Sequence, residues 1–194
     1  LRRKIAWLGV PLGIGVAVYT GVLLGAMPAR PFWNSPILAM LFLLSAISTG
    51  VAAILLTHAI MHRKNEDAEV ERRYRESGYL LTASDTLLIG LELGTIFLFL
   101  MYAHLTIGNV KAAVSVILSG GALASMFWFW VVLLGLVIPA LIELYLIVPR
   151  LIYYREFVVH RSFEIVVPAA VLVGGFMLRY VVVIAGQITH PVGL

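Results

Sequence analysis

Asp85, Glu92, Glu143 and Arg179 stand inside stretches that are otherwise apolar. Three acids and a guanidinium in such surroundings can hold or pass protons, or can pair with one another to pin helix packing. Asp85 and Glu92 are seven residues apart, which places them on one face of a helix. An ion pair between Glu92 and Arg179 would offset the burial of both charges. A second group gathers around the end of the first apolar run. Tyr19 carries a phenol that can donate to a carbonyl oxygen. The proline-rich stretch Met27–Pro36 presents Arg30, Phe32, Trp33 and Asn34. Such residues form either an aromatic belt with a solvated arginine or the wall of a binding surface.

Other chemistry is not supported. There is no Walker loop, no HExxH and no Gly-x-Ser-x-Gly, so catalysis by this chain alone is not expected. The absence of cysteine excludes a disulfide within the chain and a cysteine-ligated Fe–S cluster or zinc, and no metal site is expected. A b-type haem needs two axial ligands at one depth on different helices. His58 and His62 fall near one end of the apolar runs, His104 near the other, and His160 and His190 outside them. No haem is expected. Glu164 and His160 could extend the acidic set, but their place at the end of a run favours the surface.

The elements that must carry these residues follow from composition. The chain is 61% hydrophobic and 12% charged, with mean hydropathy +1.00. That is half the usual share of charge, too little to cover a soluble surface of this size. A soluble enzyme, a disordered tail and a disulfide-stapled secreted domain are all excluded. Apolar runs at about 5–27, 36–61, 79–105, 123–148 and 164–188 each reach the ~20 residues a spanning helix needs. The alternating ten-residue pattern of a membrane barrel is absent. Backbone groups in lipid must be satisfied within the segment, so the runs are helices. The expected fold is an all-α integral membrane region of five transmembrane helices. Pro11, Pro139 and Pro168 each remove one backbone donor, as is common in membrane helices.

The connecting segments set orientation. On the side of Leu1, side A, lie Arg2, Arg3, Lys4, Arg63, Lys64, Arg72, Arg73, Arg75, Arg150, Arg155 and Arg161; side B holds only Arg30 and Lys111. The positive-inside rule puts side A in the cytoplasm and the C-terminus outside. Arg63–Ser77 balances five bases with five acids, which reads as a short solvated helix and not as a nucleic-acid patch. Gly108–Gly121 is too short to span and reads as a side-B loop with an interfacial or re-entrant piece. At 1.5 Å per residue, Asp85 lies about 9 Å in from side A and Glu143 about 8 Å. Glu92 and Arg179 lie about 20 and 22 Å in, and Tyr19 about 12 Å from side B. The four charged groups thus step inward from side A.

Several stretches together carry a resemblance. They are Tyr19-Thr-Gly-Val-Leu-Leu-Gly25, Arg30-Pro-Phe-Trp-Asn34 and Phe42-Leu-Leu-Ser-Ala-Ile-Ser-Thr-Gly50. To these add Asp85 with Glu92, Phe127-Trp128, Gly135-Leu-Val-Ile-Pro139 with Glu143, and Leu178-Arg-Tyr-Val-Val-Val-Ile-Ala-Gly-Gln187. In this order and spacing the chain resembles the NrfD/PsrC family, membrane subunits of polysulfide, nitrite, tetrathionate and related reductase complexes. The resemblance implies an eight-helix double bundle, of which these five helices match the fourth to eighth. It implies that helices precede Leu1, a position where the LRRK start reads as the tail of a cytoplasmic loop and not as a signal peptide. It implies menaquinone or ubiquinone as the bound substrate, with Tyr19 against its head group and Arg30, Trp33 and Asn34 at its entrance. The implied partners are a ferredoxin-like 4Fe–4S subunit and a molybdopterin or multihaem catalytic subunit, in the inner membrane of a prokaryote.

The function these readings lead to is a membrane anchor and quinone-reactive subunit of an oxidoreductase complex, with Asp85, Glu92, Glu143 and Arg179 as a proton path. The same four residues also suit a proton-coupled transporter without a redox role, although no inverted repeat with broken helices is visible. A third reading makes them a purely structural network in an anchor.

Overall fold

The computed structural model describes residues 2–62, 68–106, 108–118, 120–153 and 159–189, without the side chains of 2–4 and 6. Every regular element among them is helical. The order is α1 (Arg2–Gly25), α2 (Ile37–Met61), α3 (Ala68–Leu105), α4 (Asn109–Val114), a π-helix (Met126–Val137) running into α5 (Ile138–Tyr153), and α6 (Arg161–Ile188). Five helices are long and apolar enough to cross a membrane, the π-helix and α5 counting as one.

The helices run up and down. The end of α2 meets the start of α3, where His62 Nε2 lies 3.3 Å from Glu71 Oε2. At the other end Arg30, in the α1–α2 connection, reaches the C-terminus of α6. α2 and α6 form the centre: α2 packs on α1, α3 and α6, and α6 packs on α2 and the π-helix. The core runs between them through Leu38, Leu41, Ile89, Val171, Leu178 and Val181. α1 is the least buried span and leans on α2 where Gly21 leaves no side chain between itself and Ala39. The apolar side chains left on the outside, such as Trp7, Leu87, Phe97 and Phe176, suit a lipid-facing perimeter.

Two local features depart from the sequence expectation, and a third adds detail to it. Residues 68–77 are not a separate short helix; they are the first turns of α3, continuous with the span. Ion pairs one turn apart support this polar extension, Arg72–Glu76 at 2.9 Å and Arg73–Glu69 at 2.5 Å. Residues 63–67, the rest of that segment, lie outside the described residues. Residues 126–137 form a π-helix, where the apolar run predicts an ordinary α-helix. Pro139 stands just after it and lacks the N–H that would continue the ladder, so the register changes there. Within 108–121 the short helix α4 and the turn after it tuck Ala113, Val114 and Ile117 under the side-B end of the bundle. Gly108 (φ 86°) and Gly120 (φ 87°) make the sharp turns on either side of it.

Candidate functional site

The acidic set begins beneath a cavity at side A. The cavity has a volume of about 280 Å³, and His58, Tyr74, Thr82, Glu143, Phe163 and Glu164 are among its walls. Tyr74 stacks on His58 (4.3 Å between ring centres) and on His62 (3.5 Å), and its hydroxyl donates to Glu164 Oε2 at 3.2 Å. Glu164 is therefore not simply at the surface: α6 turns it onto the cavity, half-buried, while His160 stays exposed as the cap of α6.

Glu143 forms the cavity floor and is 1% exposed; Asp85, on α3 beside it, is 0% exposed. Each carboxyl is held by one hydroxyl. Thr86 Oγ1 lies 2.8 Å from Glu143 Oε2, and Ser48 Oγ donates to Asp85 Oδ1 at 2.9 Å. The other oxygens, Asp85 Oδ2 and Glu143 Oε1, are buried with no hydrogen-bond partner. The two carboxyls are within hydrogen-bond reach of each other across α3 and α5.

Further in, Glu92 is 2% exposed on the same face of α3 as Asp85. It does not make the ion pair expected with Arg179: the ion pairs among the described residues all lie near side A, between α2 and α3 or along α3. Arg179 Nη1 donates instead to Gly175 O (2.8 Å) and reaches Ser45 Oγ (3.4 Å), whose hydroxyl also faces the Glu92 carboxylate. Ser45 thus stands between the two charges. Geometry explains the difference. Gly175 leaves room on α6 for the guanidinium to fold back along its own helix, and a Cβ there would meet Thr49 Cγ2.

Beyond Arg179 the described side chains close on an apolar space. Phe32, Leu41, Ile96, Phe99, Phe127 and Leu178 close round a space of about 10 Å³, at or below the volume one water needs. The polar groups therefore form a track from side A to the depth of Arg179, stopped by an apolar plug toward side B.

The amino-acid sequence matches the family described as "Polysulphide reductase, NrfD" over residues 1–191. The chain belongs to the NrfD family. It is 32% identical to a component of the polysulfide reductase of Wolinella succinogenes over 188 residues, 96% of this chain and 55% of that protein. It is 34% identical to protein NrfD of Escherichia coli over 200 residues, 97% and 54% of the two proteins. It is 32% identical to a component of the selenate reductase of Mesobacillus selenatarsenatis over 138 residues, 67% and 29%. The chain thus spans about half the length of the first two relatives. No solved structure matches it.

In this NrfD-family chain the side-B residues separate into two kinds. Arg30 and Trp33 are used by the fold. Arg30 Nη1 donates to Gln187 O (2.8 Å) and Thr189 O (3.1 Å), capping the C-terminal carbonyls of α6. Trp33 is buried, donates from Nε1 to Val182 O at 2.8 Å, and lies on Gly186, where any Cβ would strike the indole. Tyr19 and Asn34 are exposed near the side-B ends of α1 and α2. His104 is also exposed, and His190 lies outside the described residues. The hydroxyls of Ser45, Ser48 and Thr86, with Tyr74, are the site groups that residue-type reasoning passes over. Ser and Thr are common in membrane helices, and only their place opposite an acid distinguishes these.

Proposed function

We propose that this chain is part of the membrane subunit of a reductase-type redox complex and exchanges electrons between the menaquinone or ubiquinone pool and a ferredoxin-like 4Fe–4S partner. A molybdopterin or multihaem subunit would do the terminal chemistry. Family membership carries this reading, supported by relatives named as components of a polysulfide reductase and of a selenate reductase. Quinone would supply the two-electron chemistry at side B. Tyr19 and Asn34, both exposed there, offer donors for a quinone carbonyl. Arg30 and Trp33 hold the loop that presents Asn34. In this reading Asp85, Glu143, Glu92 and Arg179 carry protons on the side-A half, and side A is the cytoplasm of a prokaryotic cell.

The buried track supports a proton role because ionisable groups in a membrane interior are costly, and here Asp85 and Glu143 are bonded to hydroxyls and Arg179 to backbone, none of them in an ion pair among the described residues. The test is Glu92→Gln in the full complex. Quinol-dependent turnover should fall several-fold while the amount of assembled complex stays the same. Unchanged turnover, or loss of assembly in step with loss of turnover, would leave only the structural role.

A further inference from the structure

The hydroxyls around Asp85 and Glu143 are one hydrogen short. Thr86 Oγ1 has a single proton, yet it lies within hydrogen-bond distance of two acceptors, Thr82 O at 2.9 Å and Glu143 Oε2 at 2.8 Å. Ser48 serves Asp85 Oδ1 alone. Asp85 Oδ2 and Glu143 Oε1 remain buried and unpartnered on neighbouring helices. Two ionised carboxylates in this position would repel each other with no cation between them. The nearest guanidinium in the membrane interior, Arg179, is committed to Gly175 O and Ser45. Among the described residues no cluster of His, Cys, Asp and Glu is suited to a metal ion.

We propose that Asp85 and Glu143 form a carboxyl pair that binds one proton between Oδ2 and Oε1, loaded from side A through the cavity above Glu143. One proton satisfies both orphan oxygens at once and removes one of two like charges. It comes from water in the cavity and forms one O–H bond, with no electron transferred. The groups facing the pair are, on α2, Ser48 and, across the cavity, His58. On α3 they are Tyr74, Glu71 and Arg75 at the cavity and Glu92 on the inner side; on α6 they are Glu164 at the cavity and Arg179 on the inner side. Tyr74 and Glu164, joined by their own hydrogen bond, stand where the proton would enter. The pair is the outer station of the track and the apolar plug lies beyond the inner one, so loading is one-sided.

The inference deepens the proton part of the function proposed above. Infrared spectra of the intact complex in lipid keep the two apart, because the carboxyl band reports on the proton whether or not quinol turns over. The wild type should show a carboxylic-acid C=O band that shifts in D2O, and Asp85→Asn and Glu143→Gln should each abolish that same band. A band kept by either variant would overturn the shared proton, as would no band in the wild type or a band removed by added sodium ion. Thr86→Val keeps both carboxyls and should shift the band's frequency by removing its hydroxyl neighbour; an unshifted band overturns the assignment even if the carboxyl variants fail to assemble. Thr82→Leu narrows the cavity and should slow deuterium exchange into the band several-fold. Unchanged exchange overturns entry from side A.

Discussion

At the scale of single residues, the structure divides polar groups that look alike in sequence. Arg30 and Arg179 are both scarce guanidiniums, and each is spent on backbone carbonyls of α6, at its C-terminus and at mid-membrane. Trp33 looks like a belt residue in sequence, but it is a buried peg on Gly186. Trp33→Ala removes the ring and its bond to Val182 O and should cost about 3–5 kcal/mol, the range for a buried large aromatic. Thermal unfolding of the purified complex would report it; Asn34→Ala, at an exposed neighbour, should leave the melting point unchanged. The acids themselves were legible, because charge in an apolar run is conspicuous. Their partners were not, because a serine one helix away differs in no sequence property from a serine facing lipid. The Glu92–Arg179 pairing fails for the same reason: depth along two helices was readable, but the rotation that lets Gly175 and Ser45 take the guanidinium was not.

At the scale of elements, hydropathy finds five apolar runs and the structure has five helices long and apolar enough to cross a membrane, since a run of ~20 apolar residues admits few other folds. It did not find the π-helix, because widening a helix by one residue per turn leaves composition unchanged. It also split α3 at the point where polarity changes, although the backbone continues. The π-helix meets α6 at Gly135 and Gly174, where a Cβ on either would strike the other's Cα. Gly135→Ala should therefore destabilise the subunit by about 1–3 kcal/mol, the usual cost of overpacking. Gly94→Ala on α3, where no atom lies near, should be neutral or slightly stabilising. Yields of assembled complex and their melting points would separate the two. Equal effects would mean that the two helices do not meet at these glycines.

At the scale of the molecule, the track opens to the end that carries most of the cationic residues and is sealed by aromatic and aliphatic side chains toward the other. The proposed orientation rests on the charge of the connecting segments and can be checked because this sequence contains no cysteine. An impermeant thiol reagent should label Arg72→Cys from the cytoplasmic face and Asn34→Cys from the outer face. The opposite pattern would invert the proton route as well as the topology. The central claim is electron exchange between quinone and an Fe–S partner. Its most direct test is to add a quinol to the purified, oxidised complex and follow the partner's clusters by electron paramagnetic resonance, with and without the subunit that contains this chain. The account predicts cluster reduction only when the subunit is present. Equal reduction without it, or none with it, would contradict the claim.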